Sequence, residues 1–122
     1  TCALPICWEG TDGAFVIDLG KEKEIHSIDT DFLHQIGAWI LFPLKVVYSY
    51  SEDGENYTHW GTHDMPENRS GKVEFRGVKT ESEMPVHARY VKVEVTGTKE
   101  CPEWHYGVGH PSWFFIDEVT IK

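Results

Sequence analysis

The sequence predicts an all-β fold, an antiparallel sandwich, and three observations carry the prediction. Apolar residues recur with period two, no segment carries a helical stripe, and Gly, Pro, Asn and Asp fill the gaps between alternating runs. Many short strands at such spacing pack face to face as two sheets. At 122 residues the chain has room for a single domain spanning 1–122, burying roughly two thirds of its unfolded surface.

The first strand is expected over 14–19, where Val16-Ile17-Asp18-Leu19 closes on Gly20. The next, 25–33, alternates Ile28, Thr30 and Phe32 with Ser27, Asp29 and Asp31, so one face is buried and the other wet. A strand over 44–51 runs into Ser51-Glu52-Asp53-Gly54, and Asp-Gly is the strongest short hairpin signal because both residues tolerate positive φ. Strands over 58–62 and 73–79 follow. Over 86–96, Val91, Val93 and Val95 share one face while Tyr90, Lys92, Glu94 and Thr96 share the other. The last strand, 113–121, opens on Trp113. Two connections stand out. The segment 35–43 carries Trp39 just after His34, and 98–112 carries Cys101, Trp104, His105, Tyr106 and His110. Loops longer than about 12 residues in a compact domain are commonly functional.

Charge narrows the partners. Eleven basic residues face 20 acidic ones, a formal net charge of −9. Nucleic acid, anionic membranes and sulfated polysaccharides draw affinity from clustered Lys and Arg, so neither nucleic acid nor a membrane is the expected partner. No apolar run approaches the roughly 20 residues that span a bilayer. The chain begins at Thr1 and reads as a module of a longer polypeptide. Cys2, Cys7 and Cys101 cannot all pair within one chain. A bridge from the amino-terminal segment to Cys101 competes with buried thiols acting as small apolar side chains. The Cys101, His105, His110 spacing lacks the second close pair of ligands that structural zinc requires. Asp29 and Asp31 would stand about 7 Å apart on one strand face, a spacing tolerable for a glycosidase. They lie on a strand body rather than in a cleft, and no nucleophile elbow, phosphate loop or His-Glu-x-x-His is present. This domain is not expected to catalyse.

Val16-Ile17-Asp18-Leu19-Gly20, Ser51-Glu52-Asp53-Gly54, Arg89-Tyr90-Val91-Lys92-Val93 and Phe115-Ile116-Asp117-Glu118-Val119 occur in this order. With that spacing the chain resembles the discoidin family, also called coagulation factor 5/8 type C, from about Trp8 to Lys122. Its sugar-binding members form carbohydrate-binding module family 32. The resemblance implies a jelly roll of the galactose-binding-domain type with long loops gathered at one end. Pro102-Glu103-Trp104-His105 with Trp113-Phe114-Phe115-Ile116-Asp117-Glu118, and Trp8-Glu9-Gly10-Thr11-Asp12, resemble a narrower subset. These are the carboxyl-terminal modules of bacterial family 20 β-N-acetylhexosaminidases, or chitobiases. A secreted, periplasmic or outer-membrane-surface location follows from that resemblance. In a bacterial protein the acceptor patterns at Asn56-Tyr57-Thr58 and Asn68-Arg69-Ser70 carry no glycosylation meaning.

A sugar presents axial C–H groups that stack on an aromatic ring and hydroxyls that want fixed donors and acceptors. The five tryptophans divide accordingly. Trp60 and Trp113 are assigned to the core, Trp8 is open, and Trp39 and Trp104 are loop residues free to stack. In the sugar-binding relatives an aromatic platform works with a histidine, an arginine and an asparagine. Carried onto this chain, the roles fall on His34, Asn68 and Arg69, with Trp39, Trp104 or Tyr106 as aromatics at an exposed rim. The same resemblance leaves a competing role for Trp104 and His105, plugging the end of the sandwich. It also implies a structural calcium with Glu118 as a ligand, because relatives hold one with an acidic side chain of the final strand. The expected function is a non-catalytic, monomeric module that binds terminal neutral sugars (galactose, N-acetylgalactosamine or N-acetylglucosamine). It would hold an attached glycoside hydrolase, of β-hexosaminidase type, on its glycan. The alternative is a module that packs on its parent enzyme and binds no sugar.

Overall fold

The computed structural model describes residues 2–122, with side chains described from Ile6 onward. Six strands follow in order: β1 (Cys2–Glu9), β2 (Gly13–His34), β3 (Lys45–Ser51), β4 (Thr58–Asp64), β5 (Glu74–Thr96) and β6 (Trp113–Ile121). A single 3-10 turn, Ile36–Ala38, interrupts the β2–β3 connection. The hydrogen-bonded order is β1-β6-β2-β5-β3-β4, and every strand pair is antiparallel.

Two of these strands are long because each joins two runs that the sequence separates. The expected strands 14–19 and 25–33 are one strand, β2, and 73–79 and 86–96 are one strand, β5. Between the runs the β2–β5 ladder shifts register, after Asp18 and again after Ile25. Gly20 takes φ 88° there, and its N–H donates to Asp18 Oδ1 at 2.8 Å. Bulges of this kind bend a ladder without ending it. The bend turns a continuous ribbon into two plies. The far half of β2 pairs with the first half of β5 and with β6, which pairs β1; the near half of β2 pairs with the second half of β5, which pairs β3 and then β4.

The space between the plies is the core. Ile28 and Phe32 of one ply face Val46, Tyr48, Val91 and Val93 of the other, with Ile116 and Val119 beside them, all buried. Trp8 on β1 stacks 5.0 Å from Phe114 and 6.1 Å from Phe15, so it ties the plies at their margin. Gly13 is required beneath it, since a Cβ there would meet the indole at 2.6 Å. Trp60 is half-buried against this core and donates through Nε1 to Ser82 at 2.7 Å. Trp113 departs from expectation. It is half-buried on the sheet face opposite Phe114, with its ring 6.1 Å from Phe115.

Strand β1 was not anticipated from the sequence. Its pattern is broken at Pro5, which has no N–H to give a ladder, and the β1–β6 register shifts between Ala3 and Ile6. The Asp53-Gly54 turn exists but joins β3 to β4 through a longer connection, 52–57. Asp53 Oδ1 accepts the N–H groups of Glu55 and Asn56, and Gly54 takes φ 79°. Cys7 and Cys101 are free thiols, exposed and buried respectively, so no bridge links them; the Cys2 thiol lies outside the described side chains.

Candidate functional site

At the end of the sandwich where β2 stops, three connections converge around an open cleft of about 470 Å³. Its walls come from 41–44, from 65–68 after β4, and from 98–104 with 108–109 before β6. His34, the last residue of β2, stands at the inner end of these walls and is only 1% exposed. This corrects the expectation of a rim imidazole, and alternation explains it. His34 continues the inward set Ile28, Thr30, Phe32, so it follows the core rather than the loop. Its ring lies 4.9 Å from that of Phe42, and neither ring nitrogen has a hydrogen-bond partner among the described residues. Buried polar atoms are nearly always satisfied, so a side chain with both nitrogens vacant calls for an explanation.

Trp104 forms one side of the cleft, half-buried, and its Nε1 donates to Glu67 Oε1. That bond, with the Arg69 guanidinium 3.2 Å from the other carboxylate oxygen, holds the Glu67 carboxyl below its ordinary range. The indole is therefore fixed in orientation. Asn68 lines the cleft, but its amide is committed: Nδ2 donates to Glu74 at 2.6 Å and Oδ1 accepts from the Ser70 N–H at 2.7 Å. Arg69 lies outside the main cleft, in an adjoining hollow with Glu67, Pro102, Glu103 and Trp104, its guanidinium 5.5 Å from the Trp104 ring.

Trp39 and Tyr106 do not join this group. Trp39 takes φ 63° and lies over Gly107, with its ring 5.8 Å from Tyr106 and 5.6 Å from His110. Tyr106 donates its hydroxyl to the Gly37 carbonyl at 2.9 Å. Between them His105 is buried; its Nε2 lies 2.9 Å from the Ile36 carbonyl and its Nδ1 accepts from the Gly107 N–H at 2.9 Å. Trp39, His105 and Tyr106 thus staple the 35–43 loop to the 98–112 loop behind the cleft, and none of the three lines it. Of the two residues named as a plug, His105 is buried between the loops and Trp104 lines the cleft. Cleft residues that sequence reasoning did not assign to the site include Leu41, Phe42, Met65, Glu67, Glu100 and Glu103. The apolar ones read as core, and only their position at strand ends next to the two long loops could have marked them.

Glu118 is on the outer sheet face, opposite Asp31 in the β2–β6 register, far along the strand from the cleft end. Among the described residues no group of three or more His, Cys, Asp or Glu side chains is placed to hold a metal ion. A calcium at Glu118 would draw most of its six to eight oxygen ligands from loop carbonyls. The nearby Asp31 carboxyl is pushed up by burial, with Asp29, Glu118 and Asp117 adding like charge.

The family model described as F5/8 type C domain matches residues 7–114. No curated protein sequence matches the chain. Among solved structures, CpGH89CBM32-6 from Clostridium perfringens is similar with TM-score 0.61 at 18% identity, covering 95% of this chain and 75% of that one. CpGH89CBM32-5 from the same organism, in complex with GalNAc-β-1,3-galactose, is similar with TM-score 0.54 at 21% identity, covering 98% of this chain and 66% of that one. The family 32 module of C. perfringens NanJ, in complex with galactose, gives TM-score 0.50 at 18% identity, covering 97% and 70%. The chain shares the fold of these carbohydrate-binding modules.

Proposed function

The chain belongs to the F5/8 type C domain family, and on that premise we propose that it is a non-catalytic module that binds the terminal residue of a neutral glycan in the cleft between His34 and Trp104. The observation that carries this reading is the His34 imidazole, buried at the inner end of an open cleft with both nitrogens vacant. Both nitrogens lie just beneath the cleft surface, so a sugar hydroxyl engages the imidazole through a bridging water or a small shift of the wall, while an apolar sugar face stacks on the fixed Trp104 indole. The cleft volume is in the range of small-ligand sites, about 300–1,000 Å³, with room for one sugar ring and part of the next. Galactose, N-acetylgalactosamine and N-acetylglucosamine are the candidate ligands, and the similar modules bound to galactose-containing sugars support the first two.

Attached to a glycoside hydrolase of β-hexosaminidase type, such a contact acts through effective concentration. A Kd near 1 mM is only about −4.1 kcal/mol, yet it keeps a catalytic domain among many equivalent chain ends. The secreted or cell-surface location proposed for the module agrees with that task. Titration with the three sugars, followed by Trp fluorescence and by amide chemical shifts, tests the reading. Saturable changes at cleft residues are expected, with Trp104→Ala weakening binding at least tenfold; a flat response to all three sugars overturns it.

A second contact, with the parent enzyme, is supported by the outer sheet face. Cys7, Phe115, Leu33 and Phe75 are register neighbours across β1, β6, β2 and β5, and Phe75 is 58% exposed. Such a transverse apolar row suits packing against another protein surface.

A further inference from the structure

The charges around the cleft are one-sided. Its lining includes the carboxylates of Glu67, Glu100 and Glu103, and among the described residues no Lys or Arg lines it. Glu67 is answered by Arg69 at 3.2 Å. Lys99, next to Glu100 in sequence, points its ammonium at Asp12 instead, 3.4 Å away. Glu100 and Glu103 form no ion pair among the described residues. Carboxylates alone would mark no site. Here they border the cleft proposed above as the saccharide site, whose lining includes the buried, unpartnered His34. The apolar walls, Leu41, Phe42, Met65 and Val108, lower the local dielectric and focus that negative potential into the opening. The chain as a whole carries a net charge of −9, so its long-range field has the same sign.

We propose that Glu100 and Glu103 make the cleft charge-selective, so that it takes a free-amine hexosamine in preference to the neutral sugar and rejects a hexuronate. The proposal rests on the saccharide reading of the same cleft and names the charge class of its ligand. An ammonium group on the bound ring gains an unpaired carboxylate partner, whereas a ring carboxylate meets like charge with no cation to offset it.

The test is a titration with galactosamine, galactose and galacturonate, at a pH where the sugar amine is protonated, at low and at high salt. Amide chemical shifts report binding for the unaltered protein and for the Glu100→Gln, Glu103→Gln double variant. Both substitutions are on exposed side chains, and circular dichroism checks that the variant is folded. The amine is expected to bind about two- to fivefold tighter than galactose at low salt, and galacturonate about two- to fivefold weaker. Both differences should shrink at high salt and nearly vanish in the double variant. Equal binding of all three sugars, or an amine preference unchanged by the double substitution, overturns the proposal while leaving the saccharide reading intact. No response to any sugar removes both.

Discussion

His34 is the residue on which stability and binding part company. A buried imidazole with no partner costs the fold the desolvation of two nitrogens, and the cost is recovered only when a ligand supplies hydrogen bonds. Replacing it by an apolar residue of similar size should therefore stabilise the free protein and disable the site. His34→Leu is expected to raise the thermal midpoint by roughly 4 °C, corresponding to about 1 kcal/mol, while sugar binding is lost; calorimetric melting with and without sugar reads both. A fall in the midpoint would mean that the imidazole is held by a partner and is not waiting for one. At this scale the sequence was only half legible. Its place after a strand singled out His34, and its place in the long 98–112 loop singled out Trp104, but whether each faced cleft, core or solvent depended on partners far along the chain. Asn68 shows the difference, since its amide is spent on Glu74 and Ser70 and offers a ligand little.

The strand pair β2 and β5 is the element that makes the sandwich, because each strand contributes to both plies. What keeps the plies in register across the core is a small set of polar contacts. Tyr48 on β3 donates its hydroxyl to Thr30 Oγ1 on β2 at 2.6 Å, with the Val78 carbonyl at 3.1 Å, and His63 on β4 meets Thr80 Oγ1 on β5 at 2.5 Å. Burial pushes the Tyr48 phenol well above its ordinary range, so the hydroxyl stays a donor at every working pH. Tyr48→Phe keeps the ring and removes that bond, at an expected cost of about 1–2 kcal/mol in urea unfolding. An unchanged midpoint would show that apolar packing alone joins the plies. Strand existence and face were readable here from alternation in 28–33 and 91–96. Strand continuity was not, because a bulge such as the one around Gly20 reads like a turn until its neighbours prove to pair on both sides.

Over the whole molecule the negative charge is a burden that one location concentrates. Asp31 is pushed up by burial and by the carboxylates of Asp29, Glu118 and Asp117. A carboxyl raised in the folded state binds its proton more readily there than when unfolded. Its contribution therefore falls as pH rises from the ordinary carboxylate range through the folded value, and it opposes folding at neutral pH. Asp31→Asn is expected to add about 0.5 kcal/mol at pH 7 and nothing below the ordinary value of 3.8; parallel melts at pH 7 and pH 3 decide it, and equal gains at both would remove the electrostatic cause. Gly77, facing the Asp29 and Asp31 carboxylates across the ladder, leaves the room in which this crowding is tolerated. The amino-acid order by itself determined the all-β class, the buried faces of most strands and the two loops that carry the site, because alternation and turn chemistry act between neighbours. Only the tertiary structure decided that β1 forms one edge of the sheet, that His34 is buried and vacant, and that Trp39 and Tyr106 brace the loops while Trp104 walls the cleft. Those outcomes depend on which distant side chains arrive first at each polar atom and each apolar gap, and local pattern holds no record of that.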